Sequence, residues 1–341
     1  MKGKKRKKSK LHLAVAAAIL AGVCGFTPKA QAAPEVGALP VGGISSSASI
    51  TTSGNTMTIN GSANNLITWQ SFSVGANAKV NFDANNYLNY VRGNNLSEIY
   101  GTITGKGAIY LVNPNGITID NGASIDVGTL NISTADLGGK LNSYATALAG
   151  LQASGLTYEG DIINKGTLKA ANSVIVEGDN ITFKNVDNVK AGTSLKVTAT
   201  SSDAFHVGRT NDNNLTLTTD STTPTYYKLV STAEELQNID PNGNSMLAND
   251  IDASSINNFK PIGRGWASGY HPNRFTGRFD GLNYVIKNLT VSNAVDGAIG
   301  LFTAVSGIVE NVGIVNGKPT PGLTAIRGLN LSIPISRVTT S

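Results

Sequence analysis

The chain has 341 residues, 40% of them apolar and 14% charged, with 38 glycines. That length holds one large domain or two modest ones, and the apolar share is enough for a core. The formal charge of +5 is misleading, because eight of the 27 basic residues lie in the first 33 positions and the rest of the chain is net negative. No basic stripe is left to displace counterions from nucleic acid, so that class of partner is excluded.

The N-terminus reads as a secretory signal over residues 1–32. Lys2, Lys4, Lys5, Arg6, Lys7, Lys8 and Lys10 form a cationic start, and residues 13–26 form an apolar run. That run is short of the ~20 residues an anchor needs to span a bilayer. Ala30-Gln31-Ala32 fits a small-x-small cleavage site, with the cut before Ala33. Cys24, the only cysteine, lies inside the apolar run and lacks a lipoprotein context, so the mature chain is expected to hold no disulfide and no thiolate metal site.

Residues 34–49 are rich in Gly and Ser, and little regular structure is expected at their start. From Ile50 the apolar period is two: Met57 and Ile59, Val80 and Phe82, Ile117 and Ile119, Ile125 and Val127 alternate with polar residues. Glycines at 54, 61, 75, 105, 107, 116, 122 and 128 punctuate these runs. Short, frequent strands with no long helical pattern between them predict an all-β fold.

Two motifs stand out here. Trp69 and Phe72 flank Gln70-Ser71 at the end of one strand, and core packing is the expected role of both rings. About forty residues on, Asn113-Pro114-Asn115-Gly116 joins two alternating strands. Pro114 presets φ, Asn115 tolerates the left-handed region and Gly116 supplies it without steric cost. Read as a turn alone, each of its side-chain hydrogen bonds is expected to contribute about 0.5–1.5 kcal/mol.

These motifs, with residues 51–60 upstream and Ile99-Tyr100-Gly101-Thr102-Ile103 between them, resemble the secretion domain of the large exoproteins of two-partner secretion, the filamentous-haemagglutinin-like family. The resemblance covers roughly residues 39–137. It implies a right-handed parallel β-helix with an N-terminal cap, exported across the periplasm and outer membrane of a diderm bacterium. The implied partner is an outer-membrane β-barrel transporter with POTRA domains. It also makes Asn113, Pro114, Asn115 and Gly116 a candidate secretion motif, and places the packing of Trp69 and Phe72 within the secretion domain.

An internal repeat supports the solenoid independently. Residues 164–176 recur 21 positions later as 185–197: Leu168 matches Val189, Lys169-Ala170 matches Lys190-Ala191, and Ser173-Val174 matches Ser194-Leu195. A period near twenty suits one coil of a β-helix. Leu168, Val174, Val176, Val189, Leu195 and Val197 are then expected to face inward; a sandwich, the rival architecture, leaves the repeat unexplained. The secretion domain is set at 33–200, with 201–225 a linker or further coils. Residues 143–153 suit a short helix or loop extruded from the stack, and Thr232 suits the cap of a helix over 232–239.

From Tyr226 the texture changes. Leu247-Ala248-Asn249-Asp250-Ile251-Asp252, Pro261-Ile262-Gly263, Gly300-Leu301-Phe302 and Ile308-Val309-Glu310-Asn311-Val312-Gly313 resemble the GLUG-type repeat regions of bacterial surface proteins. That unit is set at 226–320, leaving 321–341 unassigned. Family exoproteins are usually far longer, which implies a truncated member or the first part of a longer product.

No catalytic constellation is visible. His206 and His271 lie outside any motif and are expected in turns or at the surface. Among Asp179, Asp187, Asp203, Asp212, Asp250 and Asp252, only Asp250-Ile251-Asp252 puts two carboxylates on one strand face, roughly 7 Å apart at ~3.3 Å per residue; a turn or cap role is expected. The expected protein is therefore not an enzyme and carries no cofactor and no metal. It is a secreted or surface-exposed exoprotein, an adhesin meeting receptors or glycans on host or bacterial cells. The alternative is a secreted β-helix polysaccharide hydrolase or lyase.

Overall fold

The computed structural model describes residues 33–210, 215–263, 266–267, 271–272, 274–291, 300–315 and 318–319. Its strands stack as a parallel β-helix with three faces. Face one stacks Thr56–Gly61, Lys79–Phe82, Thr102–Thr104, Ser124–Val127, Thr167–Ala170 and Val189–Ala191. Face two stacks Asn64–Trp69, Asn86–Val91, Ala108–Val112, Thr129–Ser133, Ser173–Gly178 and Ser194–Ala199. Face three begins with Ser97–Ile99, Ile117–Ile119, Ile162–Asn164, Ile181–Phe183 and Phe205–Arg209. Each turn of the chain visits the faces in order, and alternation along each strand sends every second side chain into the shared core.

The repeat seen in the sequence is the register of the sheets. Leu168 pairs with Val189 and Ala170 with Ala191 on face one, while Ser173 pairs with Ser194 and Val176 with Val197 on face two. The offset of 21 is also the separation of the Ser173 and Ser194 hydroxyls, which meet at 2.8 Å. Leu168, Val174, Val176 and Val197 are fully buried, Leu195 nearly so, and Val189 packs against the same core from its edge.

The first coil departs from the parallel pattern expected from Ile50. Ala48–Ser53 pairs antiparallel with Thr56–Gly61, and Val41 and Ile44 bridge antiparallel to Ser71 and Thr68. Residues 34–49 form the cap with this hairpin: their start is irregular as expected, and pairing begins at Val41. A Cβ on Gly43 would lie 2.5 Å from the Trp69 ring, so the chain crosses directly over the indole. An antiparallel cap closes an end that would otherwise offer unpaired backbone groups and open core.

Residues 134–161 leave the stack between faces two and three. Ser143 caps α1 (Tyr144–Leu151) by accepting the Thr146 N–H. Ala147 and Leu151 of α1 cover Leu88, Tyr90 and Val112, which point outward from face two. These outward apolar residues are why the excursion packs back onto the solenoid instead of projecting from it.

Beyond Arg209, residues 215–222 run along the last face-two strand, with Thr218 N–H donating to Leu195 O and Thr222 N–H to Val197 O. Face three continues through Thr225–Val230, Asn244–Leu247, Arg278–Asp280 and Ile308–Glu310. Here a second core gathers around Phe259, Phe275, Phe279 and Ile286. Helix α2 (Ala233–Gln237) carries the expected Thr232 cap, as a full capping box with Glu235. Asp250 accepts the Val285 N–H and pairs with Lys287, while Asp252 accepts from Ser254 N–H and Asn288 Nδ2. Both carboxylates therefore brace turns between neighbouring coils.

Candidate functional site

The two motifs of the secretion-domain reading lie one above the other in the stack. Trp69 and Phe72 are both buried and meet edge to face, with ring centroids 5.3 Å apart. The indole N–H donates to Asn89 Oδ1 at 3.0 Å, and Asn89 Nδ2 donates to Tyr110 O at 3.2 Å. Tyr110 stands three residues before Asn113. A buried amide on the middle coil thus joins the aromatic pair to the strand that leads into the turn.

The turn is a clip between coils. Asn113 is fully buried, and its Nδ2 donates to Asn95 O and Ser97 Oγ, both at 3.0 Å. Its Oδ1 accepts from Asn115 N–H at 3.0 Å and from Asn115 Nδ2 at 2.9 Å. Asn115 is exposed, yet its Nδ2 also reaches Gly93 O at 2.8 Å. Gly116 has φ +116°, while Asn115 is not among the residues with positive φ, so only the glycine uses the left-handed side of the map. Asn115 keeps ordinary backbone, and its Nδ2 bridges Asn113 Oδ1 and Gly93 O. The asparagines that do adopt positive φ lie elsewhere, at 77, 283, 288 and 311.

Sequence reasoning missed Gly93 and Asn89. A Cβ on Gly93 would lie 2.0 Å from Gln70 O, so only glycine lets the second coil pass over the first at this corner. The Arg92-Gly93-Asn94-Asn95 run was the available signal. It was unreadable without knowing that this corner stacks between Gln70 and Asn115. A polar groove of about 490 Å³ opens beside the clip, walled by Arg92, Asn94, Pro114, Asn115, Asp136 and Glu159. Tyr90 lies in the same groove and donates to Asp136 Oδ1 at 3.1 Å. Burial, and next the Asp136 charge, push its hydroxyl up to about 12.

Residues 37–264 match the family model of the TPS secretion domain, the domain of two-partner secretion. The chain belongs to this family. As a TPS protein it is a β-helical exoprotein of two-partner secretion, exported through the outer membrane to the cell surface of a Gram-negative bacterium. It is similar to a "Heme/hemopexin-binding protein" of Haemophilus influenzae (strain ATCC 51907 / DSM 11121 / KW20 / Rd), 38% identical over 146 residues, covering 39% of this chain and 16% of that protein. A second protein of the same name from Haemophilus influenzae is 42% identical over 91 residues, covering 25% of this chain and 10% of the relative. The TPS chain thus spans only a small part of the curated relatives it matches. Among solved structures it is similar to the HMW1 secretion domain from Haemophilus influenzae, with 14% identity, a TM-score of 0.36, and coverage of 82% of this chain and 99% of that one.

Of the remaining sequence candidates, Ala30 and Ala32 lie outside the described residues, and Ala33 is the first described position. The side chain of His271 is also outside them. His206 is not at the surface or in a turn as expected. It lies within the strand Phe205–Arg209, half-buried, its ring 5.1 Å from that of Tyr227. The reason is tertiary: the strands after Tyr226 bring their own residues over the outer side of face three.

Proposed function

We propose that this chain is the export module of its protein, handled by an outer-membrane transporter with POTRA domains through the Asn113-Pro114-Asn115-Gly116 clip and the groove beside it. The observation that carries this reading is the clip itself. Buried Asn113 ties its turn to the preceding coil at Asn95 and Ser97, while exposed Asn115 and half-buried Pro114 form a wall of an open groove. A surface-presented, internally rigid turn gives a partner a fixed shape to recognise at low entropic cost. On this reading residues 1–32 are a signal peptide removed before Ala33; the cap and the coils that build the clip fold where the transporter reads them, and the chain beyond them crosses the periplasm unfolded. Folding then starts at the cap, each new coil pairing with the one already formed. Residues 226–320, as a GLUG-type region, extend the stack.

After export the solenoid presents Thr-, Asn- and Ser-rich faces to cell-surface receptors or glycans as an adhesin. Asp250 and Asp252, the best hydrolase candidates, are spent on coil-to-coil hydrogen bonds, which supports a non-enzymatic role. The name of the curated relatives favours a second reading, capture of haem or a haem-carrying protein. The test of the export reading is co-expression with and without a two-partner transporter. Protein in the medium only with the transporter supports it; equal release in both strains overturns it. Binding of the secreted chain to epithelial cells or to a hemopexin column separates the two surface roles.

A further inference from the structure

Face three folds back on itself. Its outer side in the first stack meets the strands of the second across a seam of charged and aromatic groups. Lys184 Nζ donates to Asn121 Oδ1 at 2.9 Å and to Ala248 O at 3.2 Å, and Lys165 lies 5.0 Å over the Tyr284 ring. Arg278 of the second stack pairs with Asp203 of the first. Within this seam His206, Asp280 and Glu310 each place a ligand atom within 4.8 Å of the other two. They come from three strands, Phe205–Arg209, Arg278–Asp280 and Ile308–Glu310.

We propose that His206, Asp280 and Glu310 form a structural site for a divalent cation of the Zn²⁺ type, which latches the second strand stack onto the first. One imidazole and two carboxylates make a mixed nitrogen–oxygen set suited to such an ion, and its charge offsets both carboxylates. Ligand atoms on a tetrahedral ion with ~2.1 Å bonds stand about 3.4 Å apart, so small side-chain movements close the site.

Three further observations point to a ligand. The His206 Nε2–H donates to the Asp203 carbonyl at 3.0 Å, which leaves Nδ1 with the free lone pair. A backbone carbonyl holding the second ring nitrogen is the usual support of a metal-binding histidine. Asp280 is 2% exposed, and its Oδ1 takes the Leu282 N–H and the Asn311 amide, which orients the carboxylate rigidly and leaves Oδ2 for the site. Tyr227, 1% exposed and with its ring tilted against that of His206, has a hydroxyl with no hydrogen-bond partner among the described residues.

The full mature chain, purified without a histidine tag and stripped with EDTA, is titrated with ZnSO₄ by calorimetry and followed by thermal unfolding. One Zn²⁺ per chain and a higher unfolding temperature are expected. Co²⁺ in its place should give the visible absorption bands of a low-symmetry site, a readout that needs no variant. His206→Ala and Glu310→Gln should each weaken Zn²⁺ binding at least tenfold and remove the thermal shift, whereas His271→Ala should leave both unchanged. Absence of stoichiometric binding by the wild-type chain overturns the proposal. So does binding that survives both seam substitutions, or that is lost only with His271→Ala.

Discussion

Replacing Asn113 and Asn115 separately by alanine distinguishes a recognised turn from a structural one. Asn113→Ala removes four hydrogen bonds from a fully buried side chain and leaves Ser97 Oγ, Asn95 O and the Asn115 N–H to find new partners. Allowing for partial rescue by water, the cost is about 2–4 kcal/mol, several times that of one turn bond. For a chain of this size, with a urea dependence of about 3 kcal/mol per molar, the midpoint falls by roughly 1 M. Asn115→Ala removes two bonds, to Gly93 O and Asn113 Oδ1, at an exposed site, and is expected to cost about 1 kcal/mol or less. The assay measures secreted yield and urea midpoint for the same variants, with Pro114→Ala added. If a transporter reads the turn, Asn115→Ala and Pro114→Ala lower the yield strongly while the midpoint barely moves. The unsecreted chain is then lost to periplasmic proteolysis. Yield that simply follows the midpoint across all three variants, or wild-type yield from Asn115→Ala, refutes recognition and leaves the turn a coil clip.

Gly93→Ala should destabilise the fold by about 2 kcal/mol or more, because the new Cβ would collide with Gln70 O at 2.0 Å; an unchanged thermal midpoint would show that this corner relaxes freely. Asn164, buried between Ile119 and Phe183 in the face-three register, has neither amide atom hydrogen-bonded among the described residues, so Asn164→Leu should raise the unfolding free energy by about 1–3 kcal/mol, measured by urea denaturation. Burial tends to raise the Asp83 carboxyl, but hydrogen bonds from the Gly61 and Asn85 N–H groups, Tyr87 and the Asn85 amide outweigh it and hold it below the usual carboxylate range. Its contribution is therefore present above the unfolded carboxylate pKa near 4 and is lost as pH falls through the lower folded value. Asp83→Asn should flatten the acid limb of the stability profile, and an unaltered limb would contradict the assignment.

Period-two alternation between glycine turns determined the all-β class, and the 21-residue recurrence determined which residues pair, because a stacked coil repeats its inward positions at its own length. The Thr232 cap was equally legible, because that residue starts its helix through its own hydroxyl, a matter of nearest neighbours; the Ser143 cap emerged only in the structure. Trp69, Phe72 and the Asn113 turn were visible as motifs, but their strength was not. Two of the four bonds on Asn113 stay within the turn, but the other two require Asn95 and Ser97 to arrive from the preceding coil, and Gly93 matters only because another backbone passes within contact distance. The antiparallel cap was hidden because pairing direction leaves no trace in alternation. Most of all, the backward fold of face three placed His206 against Asp280 and Glu310, residues more than seventy positions away. Spacing along the chain carries no record of such a meeting, which depends on how the outer surface of one stack is buried by another.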